Sequence, residues 1–93
     1  MKYSQTKTSY YRRLYVAYLI DKGINTVPAI TAETGMHRRT AQETILALAE
    51  MDIKCEFVGA TKDGRYKITS WAAIKKVWVK KHLQHIKSVL ECN

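Results

Sequence analysis

Apolar residues recur along the 93-residue chain in two rhythms, and the change of rhythm divides it into segments. From about Ser9 to Lys22, Tyr11, Leu14, Tyr15 and Tyr18 return every three or four positions, the spacing of one face of an α-helix. Thr8 or Ser9 is placed to cap its start. Gly23 suits the left-handed residue past its end, with Ile24 able to fold back on Leu19. Thr26-Val27-Pro28-Ala29-Ile30 predicts a short second helix: Thr26 is the N-cap and the proline lies in a first turn, where no N–H is needed. Gly35 closes it, and a third helix runs from about Arg38 to Glu50 with Ala41, Ile45 and Leu48 on its apolar side.

After Asp52 the period falls to two. Ile53, Cys55 and Phe57 alternate with Lys54, Glu56 and Val58, then Gly59-Ala60-Thr61-Lys62-Asp63-Gly64 intervenes, and Tyr66 and Ile68 alternate with Arg65, Lys67 and Thr69. Two alternating runs around an Asp-Gly turn predict a β-hairpin. From about Trp71 to Glu91 the period returns to helical, capped by Thr69 or Ser70. At about 100° per residue, Trp71, Ile74, Trp78, His85 and Val89 share one face, and Val79, Leu83, Ile86 and Leu90 form a second stripe. The first stripe is expected to dock on the rest of the chain. The second is expected to pair with another copy as a dimer interface, the alternative being one wide face buried within the chain. The fold class is therefore mainly α with a small β-hairpin (α+β), in one domain over residues 1–93, with 71–93 as a long C-terminal helix.

A two-turn helix, a glycine turn and a longer helix suggest helix-turn-helix. Ile30, Met36, Ala41 and Ile45 can close a small core between the two helices, leaving the start of the third exposed. The run Ala29-Ile30-Thr31-Ala32-Glu33-Thr34-Gly35-Met36-His37-Arg38-Arg39-Thr40-Ala41-Gln42-Glu43-Thr44-Ile45-Leu46-Ala47-Leu48 resembles winged helix-turn-helix regulators. It is most similar to the N-terminal DNA-binding domain of IclR-type regulators and less so to the MarR type, and with the hairpin the likeness covers residues 10–70. The resemblance implies a recognition helix presenting Arg38, Arg39, Thr40, Gln42 and Glu43, with His37 at its capping position. It also implies a two-stranded wing carrying Lys62, Arg65 and Lys67. Thr31 stands where alanine is usual and buries a hydroxyl, Asp52 stands where glycine commonly ends the recognition helix, and no ligand-binding domain follows the wing.

Charge adds a partner class. The formal net charge is +8 and the isoelectric point about 9.7, so an anionic partner is expected. The excess is uneven: residues 1–23 carry +4, 24–52 carry −2, 53–70 carry +2 and 71–93 carry +4. Double-stranded DNA would then be held by Lys62, Arg65 and Lys67, and by Lys2, Lys7, Arg12 and Arg13 from an N-terminal arm and the first helix, through counterion release. Sequence would be read by side chains of the third helix: arginine pairs bidentately with guanine, glutamine with adenine, and glutamate accepts from cytosine.

Plainer readings stand beside these. Paired arginines at a helix start oppose the helix dipole and are often just solvated. Glu43 sits four residues after Arg39 and is placed to neutralise it. The tyrosines of the first helix lie on one face, which suits a core better than a base-stacking platform. His82 and His85 lack a third metal ligand at useful spacing, Cys55 and Cys92 form no disulfide or zinc pattern, and no nucleophile elbow, paired acids or phosphate loop is present. No metal, cofactor or catalysis is expected. No apolar stretch is long enough to span a bilayer and no apolar stretch of the secretory-signal kind lies behind Met1-Lys2-Tyr3-Ser4-Gln5-Thr6, so a cytoplasmic, bacterial-type regulator is expected, with no membrane partner. The alternatives are a winged-helix protein-interaction module, since fold does not fix function, and an RNA-binding domain.

Overall fold

The computed structural model describes residues 3–60 and 62–91. Its axis is α1 (Gln5–Lys22), which is apolar around most of its circumference. Val16, Ala17 and Ile20 look into one core, while Tyr11, Leu14, Tyr15 and Leu19 look into another. A helix apolar on two sides needs partners on both, and the remaining elements supply them.

Helix α1 begins one turn earlier than its apolar periodicity suggests. Ser4 is the N-cap, its hydroxyl accepting the Lys7 N–H at 3.1 Å. Thr8, expected as a cap, lies inside the helix and donates its hydroxyl to the Ser4 and Gln5 carbonyls at 3.2 and 3.1 Å. The helix stops as expected. Gly23 takes φ 112°, and the Gly23 and Ile24 N–H groups donate to the Ile20 and Leu19 carbonyls at 3.2 and 2.9 Å. This is the reversed bonding of a Schellman stop.

Thr26 caps α2 (Val27–Thr34) by accepting the Ala29 N–H at 3.2 Å. Gly35 ends it at φ 77°. Thr34 braces the turn from both ends: its hydroxyl donates to the Ile30 carbonyl at 2.7 Å and accepts the Met36 N–H at 3.1 Å. The Thr31 hydroxyl is satisfied by the Pro28 carbonyl at 2.9 Å, so its departure from alanine leaves nothing unpaired. Helix α3 (Arg38–Leu48) continues into a 3-10 turn, Ala49–Met51, and Asp52 stops it in the left-handed region at φ 64°. Aspartate tolerates that conformation better than most residues, which accounts for its presence where glycine is common.

The first core is formed by Ile30, Ala41, Ile45 and Leu48 against α1, closed by Ile53 and Ile68 from the hairpin. β1 (Lys54–Val58) and β2 (Arg65–Ser70) pair antiparallel, Cys55 with Ile68 and Phe57 with Tyr66, with a register irregularity between Lys54 and Cys55. The Tyr66 N–H donates to the Asn25 carbonyl at 2.8 Å, which ties β2 to the link between α1 and α2.

The C-terminal segment departs from expectation. Residues 71–75 are not helical: Ser70 accepts the Ala72 N–H at 3.1 Å, Ala72 takes φ 54°, and the chain makes a turn in place of a helix cap. Two short helices follow, α4 (Lys76–Lys81) and α5 (Leu83–Glu91). They are separated at His82, whose Nδ1 bonds the Trp78 carbonyl at 2.8 Å and whose ring stacks on Trp78 at 4.1 Å. The Trp78 carbonyl also keeps its ladder bond from the His82 N–H, at 3.0 Å, so ring and backbone of His82 share it.

The break redistributes the two expected stripes. Val79 and Ile86 are fully buried against Tyr11, Leu14, Tyr15 and Leu19 of α1, with Val89, and Leu83 and Leu90 pack on the same cluster. The stripe expected to form a dimer interface is therefore the one that fills the second intramolecular core, and it is not free for another copy. Of the stripe expected to dock, Trp71, Ile74 and Val89 do pack, but Trp78 and His85 face outward. No described helix is long and apolar enough to cross a membrane.

Candidate nucleic-acid interface

Because Ala41, Thr44, Ile45 and Leu48 face inward, α3 turns its other side to solvent. Arg38, Arg39, Gln42 and Glu43 are exposed on it, and Thr40 is half-buried, its carbonyl accepting the Thr44 hydroxyl at 2.7 Å. His37 occupies the N-cap position with extended backbone, yet its ring makes no capping bond and stays exposed. Arg39 and Glu43 form an ion pair at 3.5 Å with both side chains largely in water. Such a pair contributes little to stability and leaves Arg39 available to a stronger anion.

Leu46 completes the outward face and was not singled out by sequence reasoning. It is 73% exposed, the most of any large apolar side chain among the described residues. The available signal was its spacing: three and four residues beyond Glu43 and Gln42, seven beyond Arg39, and outside the Ala41–Ile45–Leu48 stripe.

Helix α1 contributes two cations beside α3. A groove of about 160 Å³ between the two helices is lined by Arg12 and Arg13 on one wall and by Thr40, Glu43 and Thr44 on the other. Lys7 lies elsewhere. It is inside the helix, not in an arm, and its ammonium sits 5.2 and 5.5 Å from the Tyr3 and Tyr11 ring centres. Tyr11 in turn meets His85 of α5 edge-on, so Lys7 belongs to the α5 side of α1. Lys2 lies outside the described residues.

On the hairpin, Lys62, Arg65 and Lys67 are all exposed. Arg65 and Lys67 line a second cleft, of about 330 Å³, with Lys22 and Asn25 at the end of α1. The tip is shaped by Gly64. The Phe57 ring lies directly over its Cα, where a Cβ would collide with the ring and approach the Ala60 carbonyl to 2.6 Å. Phe57 also meets Tyr66 edge-on at 5.1 Å, so the two strands share an aromatic clasp near the tip.

The site is thus a polar helix face of mixed charge, with cations contributed by α1 and by the hairpin. Among the described residues no three His, Cys, Asp or Glu side chains gather as metal ligands. Cys55 is half-buried, and burial pushes its thiol above the ordinary range, which suits a packed hydrophobe and not a nucleophile.

The family profile described as a winged helix-turn-helix matches residues 5–90. The fold is similar to the crystal structure of a DUF2131 family protein from Shewanella amazonensis, with 32% sequence identity and a TM-score of 0.89. That match covers 97% of this chain and 90% of the other. No curated protein matches.

Proposed function

The chain belongs to the winged helix-turn-helix family, and on that premise we propose that it binds double-stranded DNA sequence-specifically and regulates transcription. The observation that carries this reading is the outward face of α3. Arg38, Arg39, Gln42 and Glu43 stand free of the core at the start of an exposed helix, which is the geometry of major-groove readout. Arg12 and Arg13 border that face across the α1–α3 groove and suit phosphate. Lys62, Arg65 and Lys67 supply further sequence-independent attraction from the wing. Residues 24–52 carry a net −2, so affinity rests on α1 and the hairpin while α3 provides discrimination. The cytoplasm of a bacterial cell is the compartment that fits this role.

Fluorescence anisotropy with random duplex DNA over a salt series tests the reading. The parent protein is expected to weaken with salt at a log–log slope of about −0.9 for each phosphate neutralised. The double substitutions Arg38→Ala/Arg39→Ala and Lys62→Ala/Arg65→Ala are each expected to weaken binding further. Binding indifferent to both pairs would overturn the interface.

A second reading, a protein-interaction module, is favoured by one observation. Tyr10 on α1 and Val77 and Trp78 on α4 are 40%, 68% and 40% exposed, and Tyr10 and Trp78 line a shared cup of about 240 Å³. Apolar surface gathered in this way commonly marks a contact site.

A further inference from the structure

A cleft of about 460 Å³ lies on neither the face of α3 nor the wing. It opens between α1, the turn from α2 to α3, and α5, and its size is that of small-molecule sites. Four charged side chains line it: Arg12 and Lys87, Glu33 and Glu91. Among the described residues none of the four is in an ion pair. Lys87 and Glu91 are four residues apart on α5, a spacing at which opposite charges ordinarily meet, and they do not. Both signs of charge line one cleft, open to solvent and without a protein partner among the described residues.

Tyr15 forms part of the same wall and gives an independent observation. The residue is only 7% exposed, and its hydroxyl, which has no hydrogen-bond partner among the described residues, still reaches solvent. Burial and the carboxylates of Glu33 and Glu91 push its phenol above the usual tyrosine range, so both acids act on the same hydroxyl. Met36 and Leu90 add apolar lining.

We propose that this cleft binds a small zwitterion of the α-amino-acid class with an apolar side chain. Glu33 and Glu91 take its ammonium group, with the Tyr15 oxygen accepting a hydrogen bond. Arg12 and Lys87 take its carboxylate, a charge-assisted pairing. Its side chain lies on Met36 and Leu90. A simple anion would leave two carboxylates unanswered, and a simple cation would leave Arg12 and Lys87 so. The bound molecule joins α5 to Gly35 and Met36, immediately before α3, and thereby acts on the placement of that helix. Binding stands by itself; only its consequence for DNA rests on the function proposed above.

The test is a ¹⁵N NMR titration of the full chain, without DNA, using L-leucine, L-methionine and L-phenylalanine as probes. Leucinamide, which lacks the carboxylate, and 4-methylpentanoate, which lacks the ammonium, are the controls. The expected result is saturable shifts at Glu33–Met36 and Lys87–Glu91 for at least one amino acid, with a dissociation constant on the order of 1 mM or below. Each control is expected to bind about tenfold more weakly or worse. Glu33→Gln, Lys87→Gln and Tyr15→Phe are each expected to weaken binding about tenfold while the spectrum stays folded. No saturable shift at these amides up to about 20 mM of any of the three probes would overturn the proposal. So would a control that binds as tightly as its parent amino acid. Because no DNA is present, neither outcome depends on whether the chain binds it; anisotropy with and without the bound amino acid then tests the coupling.

Discussion

Leu46 has no reason to be apolar for the sake of the fold. It is 73% exposed on the face of α3 that carries Arg39, Gln42 and Glu43, and its removal opens no cavity. Leu46→Ala is therefore expected to change stability by no more than about 0.5 kcal/mol in chemical denaturation. In a competition assay on a selected duplex it is expected to relax discrimination at one base pair by about 1 kcal/mol, the scale of a lost contact with a thymine methyl. Cys55 gives the converse case. Burial raises its thiol pKa, which lowers the thiolate fraction at neutral pH. Peptide-mapped iodoacetamide labelling at pH 7.5 is expected to modify Cys55 several-fold more slowly than the same peptide after unfolding; equal rates would show that the thiol is free. At this scale the sequence was most informative where chemistry is local. Thr26, Gly23 and Gly35 announced their caps and turns because each acts on backbone within a few residues. Leu46 was legible only from what the core stripe left out.

Among the elements, the helix-turn-helix and the hairpin were readable from period and punctuation, whereas the C-terminal helix was not. Its break carries neither glycine nor proline. It lies where the His82 ring and backbone N–H share the Trp78 carbonyl, an arrangement that periodicity does not register. The start of α1 was misplaced for a related reason. Residues 5–8 precede its apolar stripe, and the signal for its first turn is the Ser4 cap alone. Ser4→Ala is expected to cost about 1 kcal/mol, seen as a fall of roughly 4–8 °C in melting temperature. An unchanged melting temperature would mean that the first turn of α1 is held by something other than its cap. The wing has its own weak point. Gly64→Ala is expected to displace the Phe57 ring and loosen the strand pairing, with faster amide exchange at Phe57 and Tyr66 and slower exchange nowhere.

At the scale of the whole molecule, α1 is the shared wall of two cores, and this decided what the C-terminal stripes do. Apolar periodicity shows that a face is buried but not against what. Val79, Leu83, Ile86 and Leu90 were readable as a stripe, and only the packing shows that α1 is their partner. The candidate interface is equally a property of the assembled chain. Arg12 and Arg13 meet α3 only because α1 and α3 pack side by side, while Lys7, five residues before Arg12, is carried to the opposite flank. Tyr15, in the second core, links stability to pH. Its raised folded-state pKa means that its contribution is present in full below the unfolded tyrosine value of about 10 and is lost as pH rises through the higher folded value. Melts of the parent and Tyr15→Phe are expected to differ by a constant amount up to about pH 9.5, with the parent losing ground above about pH 10. A difference that stays constant to pH 11 would contradict that burial.

The most direct measurement is an NMR map of the full chain on adding a short duplex of random sequence, at low salt. Perturbed amides are expected in two groups, His37–Leu46 on α3 and Lys62–Lys67 on the wing, joined by Arg12 and Arg13, with Val77 and Trp78 unmoved. Perturbations centred on Tyr10, Val77 and Trp78, or none at all at α3, would contradict the DNA-binding reading and make the exposed aromatic face the working surface of the molecule.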